Sequence, residues 1–335
     1  MNIAFVLDRP ELCGGVKVVF QDAELLVQRG VDVSVFAIGS LPQWSGYSGN
    51  YIDLSKPLET SLTPGTFDLV IATFWSTVLV AEKMNIGPVV HYCQGYEASY
   101  PHLQSQSQEI DRVYAKSHPS FTVSKYLADL LHTKFDKPSF VIPPPIDSLF
   151  EPKERSKITP PFNILVSGVF ECTWKGVETS LRAVKKLRDT GIALKLTRIS
   201  LLPQSNIERD IIDADAFHCC ISPKEVAKLT SHADLVLFAS QKEEGFGLPL
   251  TEALVCGVPT VAANIASARE ITRGQQPLVD PLDVDGFYHQ ALSLLTNQKL
   301  WNERAKLGPQ LTQPYKAATV SDTLVKGIEW AIAQY

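Results

Sequence analysis

Apolar positions along the first 145 residues recur in two alternating rhythms. Short, largely apolar runs at 2–7, 32–38, 69–73, 89–92, 121–123 and 139–142 are strand-sized. Between the first two, Val16, Val19, Phe20, Ala23, Leu26 and Val27 repeat at three- and four-residue steps. That spacing predicts a helix over 16–28 with one face on a sheet and Gly30 as its C-terminal cap. Strand, glycine loop, helix and strand in this order make a βαβ opening, and the pattern predicts a mainly parallel sheet covered on both faces.

Prolines then interrupt the rhythm. Pro143-Pro144-Pro145 and the charged, proline-flanked stretch 151–161 cannot continue a central strand, because proline fixes φ and lacks an N–H donor. An interdomain linker belongs there, giving an N-terminal domain over 1–150 and a second over 151–315. In the second domain the alternation restarts, with strands at 164–169, 193–199, 234–239 and 260–263 and helices at 177–189, 223–232 and 248–255. Three more helices, at 284–295, 300–307 and 318–333, close the chain, and the last segment, 316–335, is expected to pack back on the N-terminal domain. The fold class is therefore α/β, with two doubly wound Rossmann-like domains. Parallel sheets bind ligands at the carboxyl ends of their strands, so a substrate cleft between the domains is expected.

Composition narrows the function classes. A chain of 335 residues, 45% hydrophobic and 20% charged, has the balance of a globular protein with two cores. Its longest apolar runs, 68–73 and 163–169, fall well short of the eighteen or so residues needed to span a bilayer. The chain opens directly on an apolar strand with no basic leader, so the cytoplasm is the expected location. The net charge of −5, with Lys and Arg scattered, gives no footprint for nucleic acid. The stretch 112–137 carries Arg112, Lys116, Lys125, Lys134 and Lys137 against Asp129 and Asp136. That surplus could attract anionic lipid, but a solvated helix face is the favoured reading over peripheral membrane contact. The six cysteines lack C-x-x-C spacing, so neither zinc ligation nor a disulfide framework is indicated.

The segment with the most chemistry runs from Glu243 to Leu254, between a predicted strand and a predicted helix, and contains Glu-x7-Glu at Glu244 and Glu252. Spacing alone is weak evidence, since 18 glutamates in 335 residues give about one such pair by chance. The setting adds the specificity: Gly245 and Gly247 allow a tight turn and a close approach to a ligand, and the helix that follows offers unpaired N–H groups to a phosphate. Glu252 on that helix can accept two hydrogen bonds from a ribose diol, and Glu244 at the strand end can reach sugar hydroxyls. The competing reading makes both glutamates solvated charges around a loop.

Residues 232–264, HADLVLFASQKEEGFGLPLTEALVCGVPTVAAN, resemble the signature region of the family 4 retaining glycosyltransferases (glycosyl transferases group 1), whose fold is GT-B. The resemblance implies that Glu252 holds the nucleotide ribose and that Glu244 lies beside the donor sugar. It places the backbone of Gly245, Phe246, Gly247 and Leu248 near sugar and diphosphate. It extends to Cys13-Gly14-Gly15-Val16 after the first strand, where the family has a glycine-rich loop facing diphosphate and acceptor, although Gly14-Gly15 alone reads as a tight turn. Residues 121–125 and 141–150 resemble the two segments that precede the family's interdomain linker.

Two departures stand out. Where the family commonly has Gly-Arg and then Lys-Gly, this chain reads Gly168-Val169, with Lys175-Gly176 further on. Lys175 retains one diphosphate contact in this reading, or is an ordinary loop lysine, and Arg198 is the candidate replacement for the missing arginine. A departing diphosphate develops negative charge, so a lost cation needs a substitute. Where the family often carries His-Gly, this chain has Gln94-Gly95; glutamine can hydrogen-bond a sugar but cannot act as a general base. His91 reads as a half-buried strand histidine. Asp213-Ala214-Asp215 and Asp283-Val284-Asp285 match D-x-D and read as solvated carboxylates rather than a metal site.

The resulting expectation is a retaining, metal-independent glycosyltransferase without a cofactor. It would move a hexose-like sugar from a nucleoside diphosphate sugar to a carbohydrate, lipid-linked or small-molecule acceptor. A nucleotide-sugar epimerase, or a degenerate protein that binds nucleotide sugar without turnover, are the alternatives on the same scaffold.

Overall fold

The expected βαβ opening forms from β1 (Asn2–Val6), α1 (Gly14–Gln28) and β2 (Asp32–Ala37). It continues through β3 (Asn50–Asp53), β4 (Leu69–Ala72), α2 (Trp75–Met84), β5 (Val89–Cys93), α3 (Ser107–Tyr114), β6 (Ser120–Thr122), α4 (Lys125–Phe135) and β7 (Ser139–Val141). The computed structural model describes all 335 residues except 58–61, 154 and 156. The chain divides into two compact units, Met1–Pro145 with Tyr315–Tyr335, and Ile146–Pro314. The stretch 151–161, expected as linker, includes residues 154 and 156, which lie outside the described residues.

In unit 1 the strands form one sheet in the order β3-β2-β1-β4-β5-β6-β7, parallel throughout. Every residue of β4 and β5 is buried, which is why those strands read as continuous apolar runs rather than alternating ones. Strand order reverses between β1 and β4, so the loops leaving their carboxyl ends diverge and open a crevice, the usual ligand position in such a sheet. Helix α1, whose first turn holds Gly14 and Gly15, starts at that reversal.

Unit 2 repeats the plan with β8 (Phe162–Ser167), α5 (Val177–Asp189), β9 (Leu194–Ser200), α6 (Asn206–Ile211), β10 (Ala216–Cys219), α7 (Pro223–His232), β11 (Leu235–Phe238), α8 (Leu248–Val255), β12 (Thr260–Ala263), α9 (Ala266–Thr272), β13 (Leu278–Val279), α10 (Val284–Thr296) and α11 (Gln298–Leu311). Its sheet runs β10-β9-β8-β11-β12-β13, again parallel, and reverses between β8 and β11.

Helix α12 (Ala317–Ile332) packs on unit 1. Trp330 lies 5.6 Å from the Phe140 ring, Arg29 pairs with Asp322, and the Tyr335 hydroxyl donates to the Val89 carbonyl.

Of the basic residues of 112–137, Arg112 is exposed and the four lysines are paired or buried. Lys125 pairs with Asp129, Lys134 with Asp111 and Lys116 with Glu82, while Lys137 is buried, which pushes its ammonium down to about 8. Among the described residues no helix is long and apolar enough to cross a membrane.

Candidate active site

In unit 2 the residues singled out from the sequence converge on the two loops at the strand-order reversal. The loop after β8 reaches Lys175 at the end of a short 3₁₀ turn, Thr173–Lys175, and the loop after β11 carries Ser240, Gln241 and Glu244. Backbone and side chain stitch them together: Gln241 N–H donates to the Trp174 carbonyl at 2.7 Å, and Gln241 Nε2 to the Thr173 carbonyl at 3.0 Å. Gly176 closes the join, because it has φ +61° and a Cβ there would stand 1.9 Å from the Ala239 carbonyl oxygen. No side chain fits such a space.

This join brings Lys175 and Glu244 into contact. Lys175 Nζ donates to Glu244 Oε2 at 2.8 Å and to Oε1 at 3.1 Å, and the Ser240 hydroxyl donates to Oε2 at 2.9 Å. The Glu244 side chain is 11% exposed and that of Lys175 35%, so the pair is sheltered yet reachable from solvent. Beyond it Gly247, at φ +116°, begins α8, and a Cβ there would lie 3.0 Å from the Phe238 ring. Gly247 has no side chain to cap that helix, Pro249 has no N–H, and the Leu250 and Thr251 amides donate to the Gly247 carbonyl at 3.1 and 3.2 Å, so the Leu248 amide is the donor its first turn leaves for a ligand. Phe246 is buried, and Glu252 sits half-buried on α8. Ser240, Gln241 and Trp174 were not singled out from the sequence; nothing in their spacing marks them, since their roles come from contact between loops far apart in the chain.

Arg198, expected to replace the missing diphosphate cation, has a different role. It is 0% exposed, and its Nε donates to Glu208 at 2.7 Å. The guanidinium also donates to the carbonyls of Val166 at 2.7 Å, Ile199 at 3.2 Å and Gly168 at 3.0 Å. A cation engaged in this way holds the strand ends and the start of the Lys175 loop, with its donors taken by Glu208 and three carbonyls and none of its surface open to solvent.

In unit 1 the Gln94 side chain, just after β5, donates through Nε2 to the Gly15 carbonyl at 3.1 Å, which joins two more of the sequence-selected positions, with Gly14 beside them in the first turn of α1. His91 is buried on β5, not half-buried as its reading supposed, with its ring 4.7 Å from Tyr114. Burial, helped by Lys137, pushes its imidazole down to about 3, so it is neutral and not a base facing substrate.

The D-x-D carboxylates have structural partners: Asp215 pairs with Arg188, Asp283 accepts from the Gly286 amide at the start of α10, and Asp285 pairs with Lys186. Among the described residues no group of three or more metal-ligating side chains assembles.

A second buried carboxyl, Asp22 on α1, gives a testable pH signature. The Tyr92 hydroxyl, with one hydrogen, lies 2.9 Å from Asp22 Oδ2 and 3.3 Å from the Ile142 carbonyl. Protonated at Oδ2, Asp22 donates to the phenol oxygen and frees the Tyr92 hydrogen for the Ile142 carbonyl, and burial pushes its carboxyl up to about 8. An acid raised on folding contributes stability that is complete below its ordinary value near 4 and lost as pH climbs through about 8, at up to about 1.4 kcal/mol per pH unit. Urea unfolding of Asp22→Asn against wild type between pH 5 and 8 should show the variant's pH slope flatter by that amount; parallel slopes would place the Asp22 proton elsewhere.

Residues 161–297, which lie within unit 2, match the family described as glycosyl transferases group 1. The MMP alpha-(1->4)-mannosyltransferase of Mycolicibacterium hassiacum is 30% identical over 191 residues, 53% of this chain and 45% of that protein. The chain spans less than half the length of the curated relatives it matches. Among solved structures, sucrose-phosphate synthase from Thermosynechococcus elongatus aligns with a TM-score of 0.80 at 16% identity over 100% of both chains. Anabaena HepE in complex with UDP and glucose aligns at 0.76 and 15% identity, over 98% of this chain and 99% of that one. Likeness at this level gives the fold: two parallel-sheet, Rossmann-like units of the GT-B kind, as the sequence led one to expect.

Proposed function

We propose that the protein is a retaining, metal-independent glycosyltransferase that moves a hexose-like group from a nucleoside diphosphate sugar to a carbohydrate or lipid-linked acceptor. The observation that carries this reading is the Ser240–Glu244–Lys175 cluster beside the uncapped start of α8, at the strand-order reversal of unit 2. Glu252 would hold the ribose through its diol, and the diphosphate would lie against the α8 N-terminus and Lys175. Glu244 would orient the donor sugar. Charge growing on the leaving diphosphate would be met by the Lys175 ammonium and the amide at the start of α8, which are already in place before the reaction. No general base comes from Gln94 or His91; in this reading the donor's own phosphate takes the acceptor proton. The family match of residues 161–297 and the crystal complexes of Anabaena HepE with UDP and glucose and with UDP-glucose support a sugar nucleotide as donor.

Thermal unfolding with UDP, GDP, ADP, CMP and dTDP, beside Glu252→Ala, tests the assignment. One nucleotide at a hundred times its Kd should stabilise the fold by about 2.7 kcal/mol, a rise of several degrees that the variant loses. No shift with any nucleotide would overturn the donor assignment.

The withdrawal of Arg198 from the site favours one second reading, a protein that binds nucleotide sugar without turnover. Sugar transfer or hydrolysis of the nucleotide sugar that gives the thermal shift excludes it.

A further inference from the structure

Beneath Gln94 lies a buried polar cluster for which the proposed chemistry has no use. The Tyr114 hydroxyl on α3 is within hydrogen-bonding reach of three groups: the Gly95 carbonyl at 2.9 Å, the Glu97 carboxyl oxygen Oε2, and Cys93 Sγ at 3.4 Å. Cys93 Sγ itself donates to the Gly95 carbonyl at 3.3 Å. Tyr114 is 0% and Glu97 3% exposed, so water does not supply missing partners. A phenol has a single hydrogen and cannot satisfy both a carboxylate and a carbonyl. If Glu97 is ionised, the charge takes that hydrogen and the Gly95 carbonyl keeps the weak thiol alone. If Glu97 carries a proton, its O–H donates to the phenol oxygen and the phenol hydrogen is free for Gly95.

We infer that Glu97 and Tyr114 are a positioning pair, in which the Glu97 carboxylic acid turns the Tyr114 hydroxyl onto the Gly95 carbonyl and so fixes the Gln94–Gly95 turn against Gly15. The turn's purpose, to present Gln94 at the glycine loop, rests on the transferase reading; the positioning itself does not. Neither residue touches substrate in this scheme.

Burial favours the protonated acid, whereas the Tyr114 hydroxyl from α3 and the backbone N–H groups of Glu97 itself and of Trp75 at the start of α2 act the other way and stabilise the carboxylate. Lys137 acts on Cys93 and His91, while Lys134 is held by Asp111 and Tyr96. Burial pushes the Glu97 carboxyl up to about 7. Its proton is therefore lost as pH rises through that value, and the turn loosens in the same direction.

Hydrogen–deuterium exchange of the 91–99 segment in the full chain, at pH 6 and pH 8 and corrected for intrinsic exchange, tests the inference. Wild-type protection should fall about tenfold at the higher pH, the factor that corresponds to about 1.4 kcal/mol, roughly one net hydrogen bond. Glu97→Gln, whose amide donates at every pH, should hold its protection at both. Tyr114→Phe keeps the ring that packs on His91, Tyr96 and Phe135, and should be poorly protected at both, with its unfolding midpoint confirming the fold. Equal wild-type protection at the two pH values, or Glu97→Gln tracking wild type, would overturn the inference. UDP-induced stabilisation in the same samples reads the transferase assignment separately, because the nucleotide is assigned to unit 2 and Glu97 lies in unit 1.

Discussion

Replacing Glu244 by glutamine is expected to lower the rate of sugar transfer by about 10²- to 10³-fold while leaving the unfolding midpoint almost unchanged. The two parts of this result follow from different features of one contact. The Lys175–Glu244 pair is sheltered but solvent-reachable, and pairs of that exposure contribute no more than about 1 kcal/mol to stability. Glutamine retains the shape and can still accept from Ser240. What it loses is the charge that holds the Lys175 ammonium in place and the carboxylate that accepts donor hydroxyls.

Catalysis depends on placement in a way that folding does not, because a group positioned beforehand meets developing charge without reorganising. Lys175→Met should cause a loss of similar size. The double variant should be little worse than the more damaged single one, since the two side chains act as a unit. The measurement is kcat with the sugar nucleotide identified by thermal shift, taken beside the unfolding midpoint. A midpoint lowered by many degrees with kcat intact would make this a structural ion pair.

The doubly wound plan was legible because buried parallel strands leave continuous apolar runs, and amphipathic helices such as α5 and α7 leave a clear period. Several elements without an expectation lack those marks. Strand β3, Asn-Tyr-Ile-Asp, and strand β10, Ala-Phe-His-Cys, lie at sheet edges where burial is partial, so no apolar run forms. Helix α2 contains Thr77, Val78 and Val80 directly after a strand, and β-branched residues in that position read as more strand.

At the site, glycine and glutamate spacing pointed to the loops after β8 and β11. It could not show that Lys175 and Glu244 touch, since their contact depends on Gly176 fitting beneath Ala239. The Glu97–Tyr114 cluster was equally silent, because its members come from three segments that meet through the order of the sheet.

Arg198 is the position where the sequence expectation and the structure part most sharply, and Arg198→Ala separates them. Burial of the Arg198–Glu208 pair means that removing the guanidinium leaves a carboxylate at 2% exposure without its countercharge and takes a donor from the Val166, Ile199 and Gly168 carbonyls. Breaking a buried pair in this way costs about 3–5 kcal/mol, so the unfolding midpoint without nucleotide should fall by roughly ten degrees. Replacing both partners, as in Arg198→Met with Glu208→Leu, should recover much of that loss, because no charge is then left buried alone. A diphosphate ligand would behave in the opposite way: the nucleotide-free midpoint would hold in Arg198→Ala, and the rise caused by nucleotide would disappear. Measuring both midpoints therefore decides whether this chain meets leaving-group charge with Lys175 and the α8 terminus, or whether Arg198 leaves its strand-end carbonyls when the donor binds.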